Sequence, residues 1–177
     1  MVLVAVLVLA GLIVIGCSHQ TAGDSKGALS QVVSQSGVAG GDLAGRITKE
    51  DLYRHTPEYE KNSQDYQPKP EIIEEIKKIN QKVEMLIVMG TWCPDCKKEV
   101  PKILRILDLA NNPNLSHTLY AIGRGKKDEG GVTRKYNISW IPTTVFIKDG
   151  KELGRIVEYP QKSPEEEILA IAGSSSR

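Results

Sequence analysis

Cys93 and Cys96 are the residues whose type and spacing most clearly imply chemistry. They stand in the run Thr91-Trp92-Cys93-Pro94-Asp95-Cys96. At the start of a helix, that spacing sets the second sulfur about one turn beyond the first, close enough for a disulfide. The unpaired N–H groups and dipole of a helix N-terminus stabilise a thiolate at the first position. Pro94 suits the first turn, where its missing N–H costs nothing. Two other uses compete with thiol–disulfide exchange: half of a zinc site, and a purely structural disulfide. Tetrahedral zinc wants four ligands. The chain has no second CxxC, and His19, His55 and His117 show no ligand spacing. A redox pair is the reading that the cysteine pattern favours, with no metal and no cofactor beyond the Cys93–Cys96 couple.

The elements that must position this pair can be read from the apolar pattern. Met85-Leu86-Ile87-Val88-Met89 is a continuous apolar run that suits a buried central strand. Pro94 to Ala110 reads as the following helix, with Val100, Ile103, Leu104, Leu107 and Ala110 on its buried face and Asn111-Asn112-Pro113-Asn114 stopping it. Ahead of the strand, Ile72, Ile73, Ile76, Ile79 and Val83 fall at helical spacing. His117 to Ile122 reads as a short strand, and a charged loop from Gly123 to Gly131 leads into a short helix ending near Tyr136. Thr143–Ile147 and Glu152–Val157 flank Asp149-Gly150, a strong hairpin signal. Ser163-Pro164-Glu165-Glu166 opens a final helix with an N-cap, a first-turn proline and acidic first-turn residues. This order implies an α/β fold with a central mixed sheet and helices on both faces.

The N-terminal part differs in kind. The chain has 177 residues and a net charge of +1, yet residues 1–23 carry no Asp, Glu, Lys or Arg. The near-neutral balance excludes a protein held to nucleic acid by charge alone. Met1 to Gly16 is apolar throughout and short of the roughly 20 residues that span a bilayer, about the length of a signal-peptide core. Val14-Ile15-Gly16-Cys17 resembles the bacterial lipobox. That resemblance implies that residues 1–16 are a signal peptide and that Cys17 becomes a lipidated N-terminus. The protein would then be anchored to a bacterial membrane, facing the periplasm or exterior, with the bilayer as a partner. Several acyl chains on one cysteine would hold it there durably. Residues 17–45, rich in Ser, Gly, Gln and Ala, read as a flexible tether. Residues 46–67 read as an N-terminal extension. In it Thr48-Lys49-Glu50-Asp51 resembles a capping box, and Tyr53, Tyr59 and Tyr66 are candidates to pack against the domain. The folded domain is expected over 68–173.

Within that domain, four features agree in order with the thioredoxin superfamily. They are Trp92-Cys93-x-x-Cys96, Pro101 five residues later, Ile141-Pro142-Thr143 in the place of the cis-proline signature, and the hairpin and helix that follow. The chain from Pro68 to Ala172 therefore resembles a thioredoxin-like domain. Gly90-Thr91-Trp92-Cys93 with Lys97-Lys98-Glu99-Val100-Pro101 resembles the membrane-attached, extracytoplasmic branch linked to cytochrome c maturation.

The resemblance implies thiol–disulfide oxidoreductase activity, with Cys93 as nucleophile, Cys96 as resolving thiol and Glu99 as general base. Trp92, Pro94, Asp95, Trp140, Ile141 and Pro142 would form the substrate surface; packing is the alternative use of Trp140. The implied partners are disulfide-containing protein substrates and a membrane thiol donor. The chain departs from the family pattern at two positions. Asp95 stands where the second intervening residue is usually Pro, and Ile87 stands where cytoplasmic thioredoxins bury an Asp. Asp95 beside the sulfurs raises thiol pKa values and so favours a reducing couple. Reduction of protein disulfides is the expected direction. An oxidase of the same fold and a non-catalytic partner-binding lipoprotein are the alternatives. The lipobox reading predicts that Cys17→Ser leaves the protein unprocessed or releases it from the membrane fraction; a variant that stays with membranes at the mature mass would contradict it.

Overall fold

The computed structural model describes residues 37–39, 41–126 and 128–174. The expected signal peptide, Cys17 and most of the expected tether lie outside the described residues. In chain order the elements are strands β1 (Gly37–Ala39) and β2 (Asp42–Ile47), then helices α1 (Lys49–His55), α2 (Glu58–Asp65) and α3 (Pro70–Lys77). Strand β3 (Val83–Met89), helix α4 (Pro94–Ala110), strand β4 (Leu115–Ala121) and helix α5 (Val132–Lys135) follow. The chain closes with strands β5 (Thr143–Lys148) and β6 (Lys151–Val157) and helix α6 (Pro164–Gly173).

The strands form one mixed sheet in the order β1-β2-β4-β3-β5-β6. β3 runs parallel to β4 and antiparallel to β5. Successive side chains on a strand point to opposite faces. Met85, Ile87 and Met89 on one face of β3, and Leu86 and Val88 on the other, are all buried. Both faces of the sheet are therefore covered, and a continuous apolar run was the right composition for β3. Each such side chain contributes about 1.5–3 kcal/mol by leaving water. The fold is α/β and thioredoxin-like.

Local chemistry explains the ends of the elements. Thr48 and Asp51 close a reciprocal capping box at the start of α1, with Thr48 Oγ1 accepting the Asp51 N–H at 3.0 Å. Asn111 ends α4 in the left-handed conformation. Asp149 and Gly150 both take positive φ between β5 and β6, as a tight two-residue hairpin turn requires.

Three boundaries differ from the sequence reading. The expected tether through residue 45 ends earlier: β2 pairs with β4 through Gly45–Ala121, Arg46–Tyr120 and Ile47–Leu119. Its Gly-rich composition masks an antiparallel strand that buries Leu43 and Ile47. Residues 46–67 also belong to the domain rather than standing outside it, because Leu52 and Tyr59 are fully buried in its core. Helix α3 ends at Lys77, short of Ile79 and Val83. Asn112 Nδ2 donates to the Ile76 and Ile79 carbonyls at 2.8 and 2.9 Å, capping the end of α3 from the loop after α4. Ile79 and Val83 continue the apolar spacing because both are buried, Val83 already in β3.

Glu165 ties the extension to the last helix. It is buried, and it accepts the Tyr66 O–H at 2.7 Å and the Lys69 N–H at 3.2 Å. Burial alone would push its carboxyl up, but the hydrogen bonds from Tyr66 and from backbone N–H groups outweigh it and hold the pKa below the ordinary glutamate value. The stability that Glu165 contributes is thus complete above that ordinary value and is lost as pH falls through the depressed folded value. Glu165→Gln is expected to cost about 1–3 kcal/mol at neutral pH. It should also flatten the fall of the denaturant midpoint as pH drops below the ordinary glutamate value. Parallel pH curves for the two proteins would contradict this assignment.

Candidate active site

The end of β3 delivers the chain to the N-terminus of α4 through Gly90, Thr91 and Trp92. Cys93 is the N-cap of α4, and its sulfur accepts the Cys96 N–H at 3.3 Å. Its place is the one usually held by a small oxygen-bearing side chain. The Cys93 N–H returns to the Gly90 carbonyl at 3.1 Å. The Gly90 N–H points to the second sulfur, 3.4 Å from Cys96 Sγ. Both cysteines are free thiols in this structure.

The two sulfurs are not equivalent. Cys93 keeps 5% of its surface exposed, and Cys96 keeps none. Burial pushes the Cys96 thiol far above its ordinary value; the Gly90 N–H opposes that rise, and Cys93 and Asp95 add to it. Cys93 faces the loop before β5: its thiol donates to the Ile141 carbonyl at 3.7 Å, and the Ile141–Pro142 peptide bond is cis.

Gly90 is required here by space rather than by conformation. A Cβ at this position would lie 2.8 Å from the Trp92 indole and 3.2 Å from Ile141 Cδ1. The Trp92 ring, half-buried, is held over Gly90 by its Nε1–H, which donates to the Ile122 carbonyl at 3.0 Å.

The remaining expected site residues fall around this centre. Pro94 is exposed and Asp95 half-buried on the first turn of α4. Tyr159 is exposed, and the neighbouring Asp95 carboxylate pushes its phenol up to about 12. Trp140, beside Ile141, is 58% exposed, so it does not pack into the core; its carbonyl accepts the Thr143 hydroxyl at 2.7 Å. Glu99 is 7% exposed, one turn beyond Cys96. Its Oε1 accepts from Lys102 Nζ at 2.8 Å, while its buried Oε2 has no hydrogen-bond partner. Glu99 lines a small pocket with Ile103, Pro142, Thr144 and Glu158. Glu99 thus faces the Pro142 loop from α4. Ile87 is fully buried in β3. Among the described residues, no group of three or more His, Cys, Asp or Glu is placed to hold a metal ion.

One residue in contact with the turn before the cysteines escaped the sequence reading. Tyr59, on α2, sends its O–H to the Gly90 carbonyl at 3.2 Å from below. The spacing of the tyrosines marked it only as a packing residue. Nothing in a local pattern could show that a side chain 31 positions earlier ends at the turn before the sulfurs.

The thioredoxin family model matches residues 47–170, and the chain belongs to that family. A thioredoxin of Alternaria alternata is 25% identical over 99 residues, covering 56% of this chain and 79% of its own length. Among solved structures, a protein of unknown function from Pseudomonas aeruginosa is 21% identical, with a TM-score of 0.46, covering 75% of this chain and 76% of that one. Reduced thioredoxin 2 of Pseudomonas aeruginosa is 23% identical, with a TM-score of 0.40, covering 58% of this chain and 89% of that one. Family membership, together with a dithiol at the start of α4, points to thiol–disulfide oxidoreductase chemistry.

Proposed function

We propose that the protein is a lipid-anchored, extracytoplasmic thiol–disulfide oxidoreductase that reduces protein disulfides. The observation that carries the reading is the inequality of the two thiols. Cys93 caps the helix beside the Ile141 carbonyl with a small part of its surface still exposed, and Cys96 is fully sealed.

The chemistry follows in two steps. Cys93 thiolate attacks one sulfur of a substrate disulfide; a Cys93–substrate bond forms, the substrate S–S bond breaks, and the other substrate sulfur leaves as a thiolate. The substrate chain lies along Ile141 and Pro142, where backbone groups can pair with an extended segment, with Trp140 and Trp92 as apolar flanks. Forming the mixed disulfide removes the negative charge of Cys93, one of the causes that hold the Cys96 thiol up. The resolving thiol therefore becomes easier to ionise once its target exists. Glu99 takes the Cys96 proton, and Cys96 thiolate attacks Cys93. The Cys93–Cys96 disulfide forms, the substrate leaves as its second thiolate, and two electrons have passed to it. A membrane dithiol donor restores the reduced pair.

The reducing direction is supported by the environment of Cys96. Burial, Cys93 and Asp95 all disfavour its thiolate. A reduced form without that stabilisation makes the disulfide comparatively stable and the couple reducing. The N-terminal apolar run and Cys17 support the membrane location.

Single-turnover reduction of an insulin-type disulfide tests the reading. Wild-type protein should pass through a Cys93 mixed disulfide, and Cys93→Ser should abolish turnover. Glu99→Gln should slow resolution roughly 10²-fold while leaving the Cys93 attack nearly unchanged. A reduction potential near ~−270 mV accords with a reductase, and one near ~−120 mV with an oxidase. Turnover that survives in Cys93→Ser would refute the mechanism.

A further inference from the structure

The N-terminal extension enters the redox site through one side chain. Tyr59 is fully buried, and its O–H donates to the Gly90 carbonyl at 3.2 Å. The same carbonyl takes the Cys93 N–H at 3.1 Å, and the Gly90 N–H donates to Cys96 Sγ at 3.4 Å. Gly90 has no side chain to hold it in place, and Trp92 and Ile141 leave no room for one. Its N–H lies on the Met89–Gly90 peptide, whose carbonyl takes the Ile122 N–H at 2.8 Å, and its carbonyl lies on the Gly90–Thr91 peptide; the two planes meet at the glycine Cα, so bonds to both fix the residue. Helix α2 is itself fastened to the redox helix: Asn62 Nδ2 donates to the Lys97 carbonyl at 2.8 Å, and Glu58 pairs with Lys97 Nζ at 2.9 Å. The phenol is thus carried by an element clamped to α4.

We propose that Tyr59 is a positioning residue for the resolving thiol: its O–H fixes Gly90 so that the Gly90 N–H stays aimed at the Cys96 sulfur. The proposal rests on the reading of Cys96 as the resolving thiol. It matters most at the moment of resolution. The Cys96 sulfur has no contact with water, so the thiolate that forms there must be stabilised by donors already in place. A hydrogen bond to an ion is roughly twice as strong as a neutral one, so a loosened Gly90 costs more with the anion than with the thiol. Tyr59 is suited to this as a donor and not as an acid. Burial, together with Cys96, Cys93 and Glu58, holds its phenol well above the ordinary tyrosine value, so it stays protonated at any working pH. The titratable groups around this centre are Cys96, Cys93 and Glu58, with Asp95 on the first turn of α4 and Glu99 one turn past Cys96.

Tyr59→Phe removes one oxygen and keeps the ring in the core. Stopped-flow kinetics on the Cys93 mixed disulfide should show resolution about fivefold slower, the factor one ordinary hydrogen bond is worth. The pH–rate profile of resolution should move to higher pH, while the rate of the Cys93 attack stays at the wild-type value. Lys61→Gln alters an exposed pair within α2, Lys61 Nζ–Asp65 at 2.8 Å, without touching α4 or Gly90, and it should leave both rates and the profile unchanged. Wild-type resolution at every pH in Tyr59→Phe, or equal slowing in Lys61→Gln, would overturn the proposal while leaving the redox reading intact. If wild-type protein forms no Cys93 mixed disulfide, the redox reading fails and this assignment goes with it. Should Tyr59→Phe not fold, fluorotyrosine placed at position 59 supplies a stronger donor in the same shape. It should quicken resolution, and an unchanged rate would overturn the proposal.

Discussion

A sulfur buried away from water at the start of α4, with a backbone N–H aimed at it, is the constraint around which this structure is arranged. Burial makes the Cys96 thiolate costly, and the Gly90 N–H works against that cost. Gly90 can reach the sulfur only because Trp92 and Ile141 close over a residue without a side chain. Its carbonyl is occupied from two sides, by the Cys93 N–H and by the Tyr59 O–H. One residue therefore couples the strand end, both cysteines and the N-terminal extension.

The rest of the fold supplies rigidity to that turn. β3 sits between β4 and β5 with both faces buried, so its end has little freedom. β5 begins next to Pro142 and pairs with β3 through Thr143–Val88, which sets the Ile141 carbonyl opposite Cys93. α2 lies against α4 through Asn62 and Glu58, and Glu165 fastens the stretch after α2 to α6. The extension is thus a wall of the Cys93–Cys96 site and not an appendage to it. This agrees with a family match that begins at residue 47.

Much of this was legible in the sequence wherever the signal is local. The CxxC spacing, the unbroken apolar run of β3, the apolar face of α4, the Asp149-Gly150 turn and the Ser163-Pro164 helix start each encode their structure within a few residues. Legibility failed where the deciding contact is distant. Leu43-Ala44-Gly45 looks like tether because Gly and Ala carry little pattern; its strand character comes from β4, far along the chain. Ile79 and Val83 kept helical spacing although α3 ends at Lys77, because periodicity registers burial and not the hydrogen bonds Asn112 provides. Tyr59 was readable as buried but not as a partner of Gly90. Glu99 was readable one turn past Cys96, but its place beside Pro142 belongs to the tertiary fold.

The central claim is that the fold makes the two thiols unequal, one presented and one sealed. The relative alkylation rates of Cys93 and Cys96 in the reduced protein, read by mass spectrometry of the trapped peptides, test it most directly. Cys93 at the helix cap should be modified much faster than Cys96, whose thiol is both inaccessible and held protonated. Equal rates, or faster modification of Cys96, would contradict the account.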